Sequence, residues 1–217
     1  MKHRKKRWGL RALAVVAAIT VMVAFGWGLS TGQAATALKG KFQELKEPST
    51  HVPGKVKLTE FADFYCPHCH RFEQEAIPLL KTEFGDRLEV TMVGFPVMPG
   101  KLPTAFEMYE QAKAMGKGDD MRRVLFRAIH KDRVQIFDRL IRESYIKEVG
   151  LDVAAFEAGL AGGKPVKALE AGKAWGLRVN VQQTPTVLLD GNIKVEAIDP
   201  ENLKTVIHSI LSADGKK

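Results

Sequence analysis

The amino-acid sequence predicts an α/β domain whose small sheet is built from both ends of the chain, with a block of helices inserted between them. Three features indicate this fold class. Alternating apolar residues predict strands at 55–64 and 87–95. Helical periodicity then dominates residues 104–161. A second pair of strand-like segments follows, joined by a turn signal at Asp190-Gly191.

The N-terminal segment has the order of regions found in an export signal. Basic residues 2–11 precede an apolar run at 12–29, and small residues with a cleavage motif at Ala35-Thr36-Ala37 follow. The apolar run is also close to the roughly 20 residues that span a bilayer. Residues 1–37 are therefore predicted to be either a cleaved signal peptide or an uncleaved membrane anchor. Both alternatives send residues 38–213 across the membrane.

The first part of the exported domain is predicted to contain a strand, a helix and a second strand. Residues 38–54 are expected to be a lead-in, before the strand at 55–64. A helix is expected from Pro67 to about Phe84, with a kink at Pro78. Its apolar face is predicted to consist of Phe72, Ala76, Leu79 and Leu80.

The inserted helical block is predicted at residues 103–161. Its periodicity predicts helices at 105–115, 121–129, 134–149 and 153–160. Asp152 is a suitable N-cap for the last of these helices. Pro165 fits the first turn of a further helix over 166–175.

The carboxyl end is predicted to complete the sheet. Residues 186–189 and 193–197 have the pattern of two strands, and the turn Asp190-Gly191-Asn192 joins them into a hairpin. Asp199 is expected to cap a final helix that begins with Pro200.

Composition and charge exclude several classes of protein. Of the 217 residues, 45% are hydrophobic and 27% are charged, which is ordinary for a globular protein and excludes disordered and fibrous chains. The net charge of +8 comes mainly from residues 1–35, which hold six of the 33 basic residues and none of the 25 acids. The remainder carries only +2, so we expect no nucleic-acid partner.

The motif that carries chemistry lies where the first strand meets the helix. It is the segment Asp63-Phe64-Tyr65-Cys66-Pro67-His68-Cys69-His70, and it holds the chain's two cysteines. They are too close in sequence for a loop-closing structural disulfide. A helix N-terminus stabilises a thiolate, and His68 between the sulfurs can add a donor or a positive charge. Stabilising the thiolate favours the reduced form, which makes the disulfide an oxidant.

Three interpretations of this motif are open from the residues. The first is a thiol–disulfide oxidoreductase. The second is a c-type haem site, because Cys66, Cys69 and His70 fit the pattern C-x-x-C-H. The third is a metal site that uses His68 as well. The context favours the first interpretation, because the motif ends an apolar strand and no second pair of metal ligands follows. The other histidines of the exported domain are isolated and are expected at the surface or as caps: His51, His130 and His208.

A second signal lies far downstream, where Gln183-Thr184-Pro185-Thr186 precedes a strand and places a proline at its start. With this segment, the chain resembles the thioredoxin superfamily and, within it, the DsbA-like periplasmic disulfide oxidoreductases. The resemblance covers about residues 50–213. It rests on Glu60-Phe61, on the segment from Phe64 to Cys69, on Thr184-Pro185 and on the helical insertion. Pro67 and His68 form the DsbA-type pair between the cysteines.

The resemblance implies a thioredoxin fold, in which a central mixed sheet has flanking helices and an inserted helical subdomain. It also implies that Cys66 is the exposed attacking sulfur and Cys69 the buried resolving sulfur, with His68 tuning Cys66. Pro185 is expected to be cis and to pack against the disulfide. The backbone of Thr184 is expected to pair with an extended substrate.

Glu60 matches a buried acid of the family that manages protons beneath the active site, although a surface position at a strand edge is the alternative. The lysine that partners this acid in the family has no clear match here, and Arg87 is one candidate. Thr184 is also a departure, because typical DsbA proteins have valine before the cis proline.

The implied activity is the oxidation of thiol pairs in unfolded or reduced exported proteins. The implied reoxidant is a membrane partner with a quinone-linked disulfide. No cofactor is expected, because the two sulfurs carry the redox equivalents. A monomer is expected, because residues 38–54 are too short for the dimerisation region of the related isomerases. A reductase or an isomerase would use the same two sulfurs and remains an alternative.

Overall fold

The structure is a computed structural model that describes residues 37–98 and 104–215. The predicted signal or anchor at 1–37 therefore lies outside the described residues, apart from Ala37. None of the helices in the described ranges combines the length and the hydropathy that crossing a bilayer requires.

The described residues form a sheet, its flanking helices and a helical insertion. The strands are Phe42–Glu44 (β1), Val56–Ala62 (β2), Leu88–Gly94 (β3), Thr186–Leu189 (β4) and Ile193–Val195 (β5). The helices are Pro67–Phe84 (α1), Thr104–Ala114 (α2), Gly118–Arg127 (α3), Arg139–Glu148 (α4), Val153–Ala161 (α5), Lys164–Arg178 (α6) and Pro200–Asp214 (α7). A 3₁₀ turn lies at Gly85–Arg87 and a π-helical turn at Ala128–Asp132. The predicted fold class is confirmed.

The sheet has the strand order β1-β5-β4-β2-β3. Strand β2 runs parallel to β3 and antiparallel to β4, so it has a neighbour on each side. Glu60 lies opposite Met92 on β3 and opposite Val187 on β4. Glu60 is therefore on an interior strand, and the alternative of a surface position at a strand edge is wrong.

Helix α1 has the predicted bounds, because a proline suits its first turn and Gly85 follows its end. Pro78 lies inside the helix, which continues through it. Phe72, Ala76 and Leu80 are buried as predicted and pack with residues of α7 in one apolar cluster. Leu79 was expected on the same face but is 49% exposed.

The helical insertion packs against the redox motif. One apolar cluster contains Cys66, Cys69, Phe64 and residues of α2 to α5, so the cysteine pair belongs to the core that the insertion builds. The ring of Phe64 lies at its centre. Its centroid is 5.4 Å from that of Phe106 and 4.9 Å from that of Phe126.

Local capping signals predicted several boundaries correctly. Asp152 accepts a hydrogen bond from Ala155 N, and Asp199 accepts one from Asn202 N. The helix expected at 134–149 instead begins at Arg139, because Asp138 caps it by accepting from Leu140 N. Strand β1 lies in the segment expected to be only a lead-in. Its three residues are too few to show an alternating pattern.

Candidate active site

The turn between β2 and α1 is held by Asp63, whose side chain is buried. Its carboxylate accepts hydrogen bonds from the backbone N–H groups of Tyr65 at 2.9 Å, Val97 at 2.7 Å and Met98 at 2.8 Å. Its backbone carbonyl accepts from Cys66 N at 3.0 Å. One acidic residue thus ties the active-site turn to the segment that follows β3.

The two cysteines are both thiols in the structure and have different surroundings. Cys66 is the N-cap of α1 and is 6% exposed, whereas Cys69 is 0% exposed. The predicted burial of Cys69 is confirmed, whereas the prediction that Cys66 is exposed is wrong, because Thr184 lies against it. Burial, followed by the nearby charge of Glu60, raises the pKa of Cys69, so this residue stays a thiol at neutral pH.

The segment that precedes β4 lies directly against Cys66. The peptide bond between Thr184 and Pro185 is cis, as predicted. The Cys66 thiol donates to the carbonyl oxygen of Thr184 across 3.5 Å. Two segments that are far apart in sequence therefore meet at the Cys66 sulfur.

A groove beside the cysteines joins α1 to this segment. It has a volume of about 460 Å³. His68, Arg71 and Phe72 line it on the helix side, and Gln183, Thr184 and Pro185 line it on the other. His68 is exposed.

Glu60 is buried, and neither of its carboxylate oxygens has a hydrogen-bond partner among the described residues. Burial raises the pKa of Glu60 to about 8, the positive charge of Arg122 opposes this rise, and the negative charge of Glu73 adds to it. The acid is therefore protonated at neutral pH and close enough to Cys69 to influence its ionisation. The predicted burial of Glu60 is confirmed.

Sequence reasoning missed the groups that surround Glu60. Arg122 on α3 is 0% exposed, and its Nε lies 3.0 Å from Glu73 Oε2. Arg87, the candidate partner from the sequence, is exposed at the end of the 3₁₀ turn. A signal was available, because Glu73 lies one helical turn after Cys69 and Arg122 lies next to buried Met121.

A histidine contact at the active site was also missed. His130 was expected to be isolated, but its ring stacks on that of His70. Its Nε2 donates to the carbonyl oxygen of Phe64 at 2.8 Å. His130 lies in the π-helical turn, a distortion that recurs at functional sites. No group of three or more histidine, cysteine and acidic side chains within residues 37–98 and 104–215 is arranged to hold a metal ion.

Comparisons with known proteins agree with this geometry. The family model described as thioredoxin matches residues 51–209. A curated thiol:disulfide interchange protein DsbA from Pectobacterium carotovorum subsp. carotovorum is 31% identical over 150 residues, which cover 66% of this chain and 67% of that protein. A DsbA from Pseudomonas aeruginosa is 24% identical over 192 residues, which cover 86% of this chain and 87% of that protein.

A solved structure has the same fold. It is a variant of DsbA from Proteus mirabilis with the non-covalently bound peptide PWATCDS. It matches with a TM-score of 0.63 at 16% identity, and the match covers 82% of this chain and 98% of that one. The names of the curated relatives support the first of the three interpretations of the cysteine motif.

Proposed function

The chain belongs to the DsbA-like thiol:disulfide oxidoreductases of the thioredoxin superfamily, and from this premise we propose that Cys66 and Cys69 oxidise thiol pairs in exported proteins. The observation that carries the proposal is the unequal burial of the two sulfurs. Cys66 keeps 6% of its surface exposed and Cys69 keeps none, and Thr184, which contacts Cys66, lines the groove. An incoming thiolate can therefore approach one sulfur and not the other.

The first step is attack by a substrate thiolate on Cys66 Sγ of the oxidised enzyme. The bond between the substrate sulfur and Cys66 forms as the Cys66–Cys69 bond breaks, and Cys69 leaves as a thiolate. Because burial disfavours that thiolate, it takes up a proton. Glu60 is the group that can donate this proton, since it is a neutral acid near Cys69.

In the second step the substrate's other thiolate attacks the substrate sulfur of the mixed disulfide. The substrate disulfide forms, and Cys66 leaves as a thiolate at the N-terminus of α1, where the helix dipole stabilises it. Two electrons have moved from the substrate to the enzyme, which is left reduced. We assign to His68 the stabilisation of the Cys66 thiolate, and Pro67 is the first residue of the helix that supplies the dipole.

Substrate binding is assigned to the groove and to the backbone of Thr184. In the reduced state the Thr184 carbonyl accepts from the Cys66 thiol. Oxidation removes that thiol proton, so the carbonyl becomes available to an N–H of an extended substrate. The relative from Proteus mirabilis, which has a cysteine-containing peptide bound, supports this assignment.

The partners and the compartment complete the proposal. We infer that a membrane protein with a quinone-linked disulfide reoxidises the monomeric enzyme in the periplasm. Residues 1–37 are assigned to export, either as a cleaved signal or as an anchor of the domain at 38–213. N-terminal sequencing of the exported protein decides between them, because cleavage gives a chain that starts near residue 35 to 38.

The oxidase function is tested with a reduced peptide that contains two cysteines. The oxidised protein is expected to convert it to the disulfide in stoichiometric amounts. Cys69→Ser, first converted to a mixed disulfide of Cys66 with an aromatic thiol, is expected to accumulate the mixed disulfide with a one-cysteine version of the peptide, whose thiolate displaces the aromatic thiolate from Cys66. Cys66→Ser treated in the same way forms none. The reduction potential should lie well above the value of about −270 mV found for thioredoxin. A thioredoxin-like potential, or trapping at Cys69 instead, would overturn the proposal.

A further inference from the structure

A charged side chain from the helical insertion lies behind the redox pair. Arg122 has no exposed surface, although its neighbours along α3, Met121 and Leu125, are apolar core residues. The guanidinium stays charged in any protein environment. Its Nε forms an ion pair with Glu73, and its Nη2 lies 3.8 Å from Asp119 Oδ1.

The burial of this charge is not explained by packing alone. None of the three guanidinium nitrogens makes an aligned hydrogen bond with any residue of the described ranges. A buried ion pair of this kind is often no more stabilising than an apolar side chain of the same size. A methionine or leucine at this position would fill the same core, so the positive charge itself calls for a role.

The charges that face Arg122 and Glu60 come from several elements. They are Glu60 on β2, Cys69 and Glu73 on α1, Tyr109 on α2 and Asp119 on α3, with Lys81 of α1 paired to Asp119 at 2.9 Å. In register with Glu60, β3 and β4 present the apolar Met92 and Val187. Arg122 thus pairs with Glu73 and is the cation whose charge acts on Glu60, both of whose carboxylate oxygens lack a hydrogen-bond partner among the described residues.

The charge balance changes when Glu60 acts. Before the exchange, Arg122 is paired with Glu73 while Glu60 is neutral. When the Cys69 thiolate takes the proton of Glu60, one negative charge moves from the sulfur to the carboxylate. That carboxylate lies in the field of Arg122, which stabilises the charge after the transfer.

We propose that Arg122 is a positioning residue for disulfide exchange, whose charge holds the negative charge that Glu60 acquires when it protonates Cys69. This inference rests on the proposed function of Glu60 as the proton donor. It makes the helical insertion a functional part of the redox centre as well as a cover over it.

The test follows the side-chain carboxyl carbon of Glu60 by NMR in the full exported protein, in both oxidised and reduced forms. Arg122→Met is expected to raise the pH at which Glu60 loses its proton by one unit or more. Arg122→Lys, which keeps the charge, is expected to restore most of the shift. Arg123→Met is the matched control, because Arg123 is the next residue of α3 and its side chain is 55% exposed.

Glu73→Gln tests the sign of the electrostatic coupling. It removes a negative neighbour of Glu60, so the pH at which Glu60 ionises should fall. Because Glu73 acts on Glu60 by its own charge, this variant does not test the arginine, and Arg122→Gln takes that place if Arg122→Met fails to fold. A merely structural arginine would leave the Glu60 titration unmoved in whichever of these two arginine variants folds, and that result would overturn the inference.

The pH profile of peptide oxidation separates this inference from the proposed function. One apparent pKa of this pH profile is expected to belong to Glu60. In each variant it should move in the same direction as the NMR titration of Glu60. If the wild type oxidises the peptide but this apparent pKa is the same in the Arg122 variants, Arg122 has no positioning role. If the wild type does not oxidise the peptide, the proposed function is the one that fails.

Discussion

The imidazole rings of His70 and His130 stack with their centroids 4.5 Å apart and their planes 5° from parallel. His70 directly follows Cys69 on α1, and His130 belongs to the π-helical turn of the insertion. Burial and the neighbouring ring lower the pKa of His70, so that it stays neutral at neutral pH. The stack therefore joins the insertion to the helix that carries Cys69.

Replacing His130 should change both the pKa of His70 and the stability of the protein. In His130→Leu we expect the pKa of His70 to rise towards its ordinary value, because both causes of the depression are weakened. The buried Phe64 carbonyl also loses its donor, which should cost about 1–3 kcal/mol of stability. NMR titration of the His70 ring and thermal unfolding measure the two effects. His208→Leu, at an exposed position, is the control, and an unmoved His70 titration would contradict the prediction.

Removing His68 should make the enzyme a weaker oxidant. His68 is exposed between the two sulfurs and can stabilise the Cys66 thiolate, which exists only in the reduced form. In His68→Ala the reduced form loses this support, so the reduction potential should fall by about 30 mV for each tenfold loss of thiolate stabilisation. Equilibration with glutathione buffers measures the potential. Arg71→Ala tests for a general effect of nearby charge. An unchanged potential in His68→Ala would leave the helix N-terminus as the source of oxidising power.

Glu60 should make the protein less stable as the pH rises. Its pKa is about 8 in the folded protein, well above its value in an unfolded chain, so the folded state holds a proton that the unfolded state has lost. In acid, both states hold the proton and Glu60 causes no loss of stability. Above the pKa of the unfolded chain, the free energy of unfolding falls by about 1.4 kcal/mol per pH unit, and the loss reaches several kcal/mol as the pH approaches 8. Glu60→Gln should flatten the decline. The measurement is the slope of the unfolding free energy against pH. The slope is compared because the amide also changes the unfolding free energy at every pH.

His51 should add a separate pH dependence, through ion pairs that join the segment before β2 to Asp190 and to the end of α7. Its ring lies 2.7 Å from Asp190 Oδ2 and 2.8 Å from Asp214 Oδ1. Burial acts to lower the pKa of His51, but hydrogen bonds to the two carboxylates outweigh it and the pKa is raised. The resulting stabilisation is present below a pH of about 6.5 and is lost as the pH rises through the folded pKa.

His51→Ala should therefore be destabilised in mild acid and match the wild type more closely above neutral pH. Thermal unfolding between pH 5.5 and about 8.5 measures the difference. His208→Ala removes a histidine that pairs with a single exposed acid, so it is the matched control. A penalty in His51→Ala that is equal at all pH values would show that the ring acts by packing alone.

Features set by neighbouring residues could be predicted from the sequence. The bounds of α1, the caps Asp152 and Asp199 and the hairpin at Asp190-Gly191 depend on interactions within a few positions. The cysteine motif and the buried position of Glu60 were also predicted, the latter only through the resemblance to a family.

Features that depend on distant partners could not be predicted in this way. Arg122 lies in α3 among other charged residues, and such a sequence usually indicates a surface that faces solvent. Its burial follows from the packing of α3 against α1 and α2. The contact between His70 and His130 arises from a π-helical turn that no local pattern announced. Leu79 has the apolar character of a core residue, but the neighbouring elements cover a different face of α1.

The hydrogen bond between Cys66 and the Thr184 carbonyl joins residues 118 positions apart in the chain. A polypeptide that crosses a membrane from its N-terminus emerges in sequence order, so the cysteine pair arrives long before the segment that covers it. In that interval its thiols are open to wrong pairings with other emerging chains. We therefore expect newly made copies to pass through the same exchange that mature copies catalyse, so that existing enzyme speeds the maturation of its own successors.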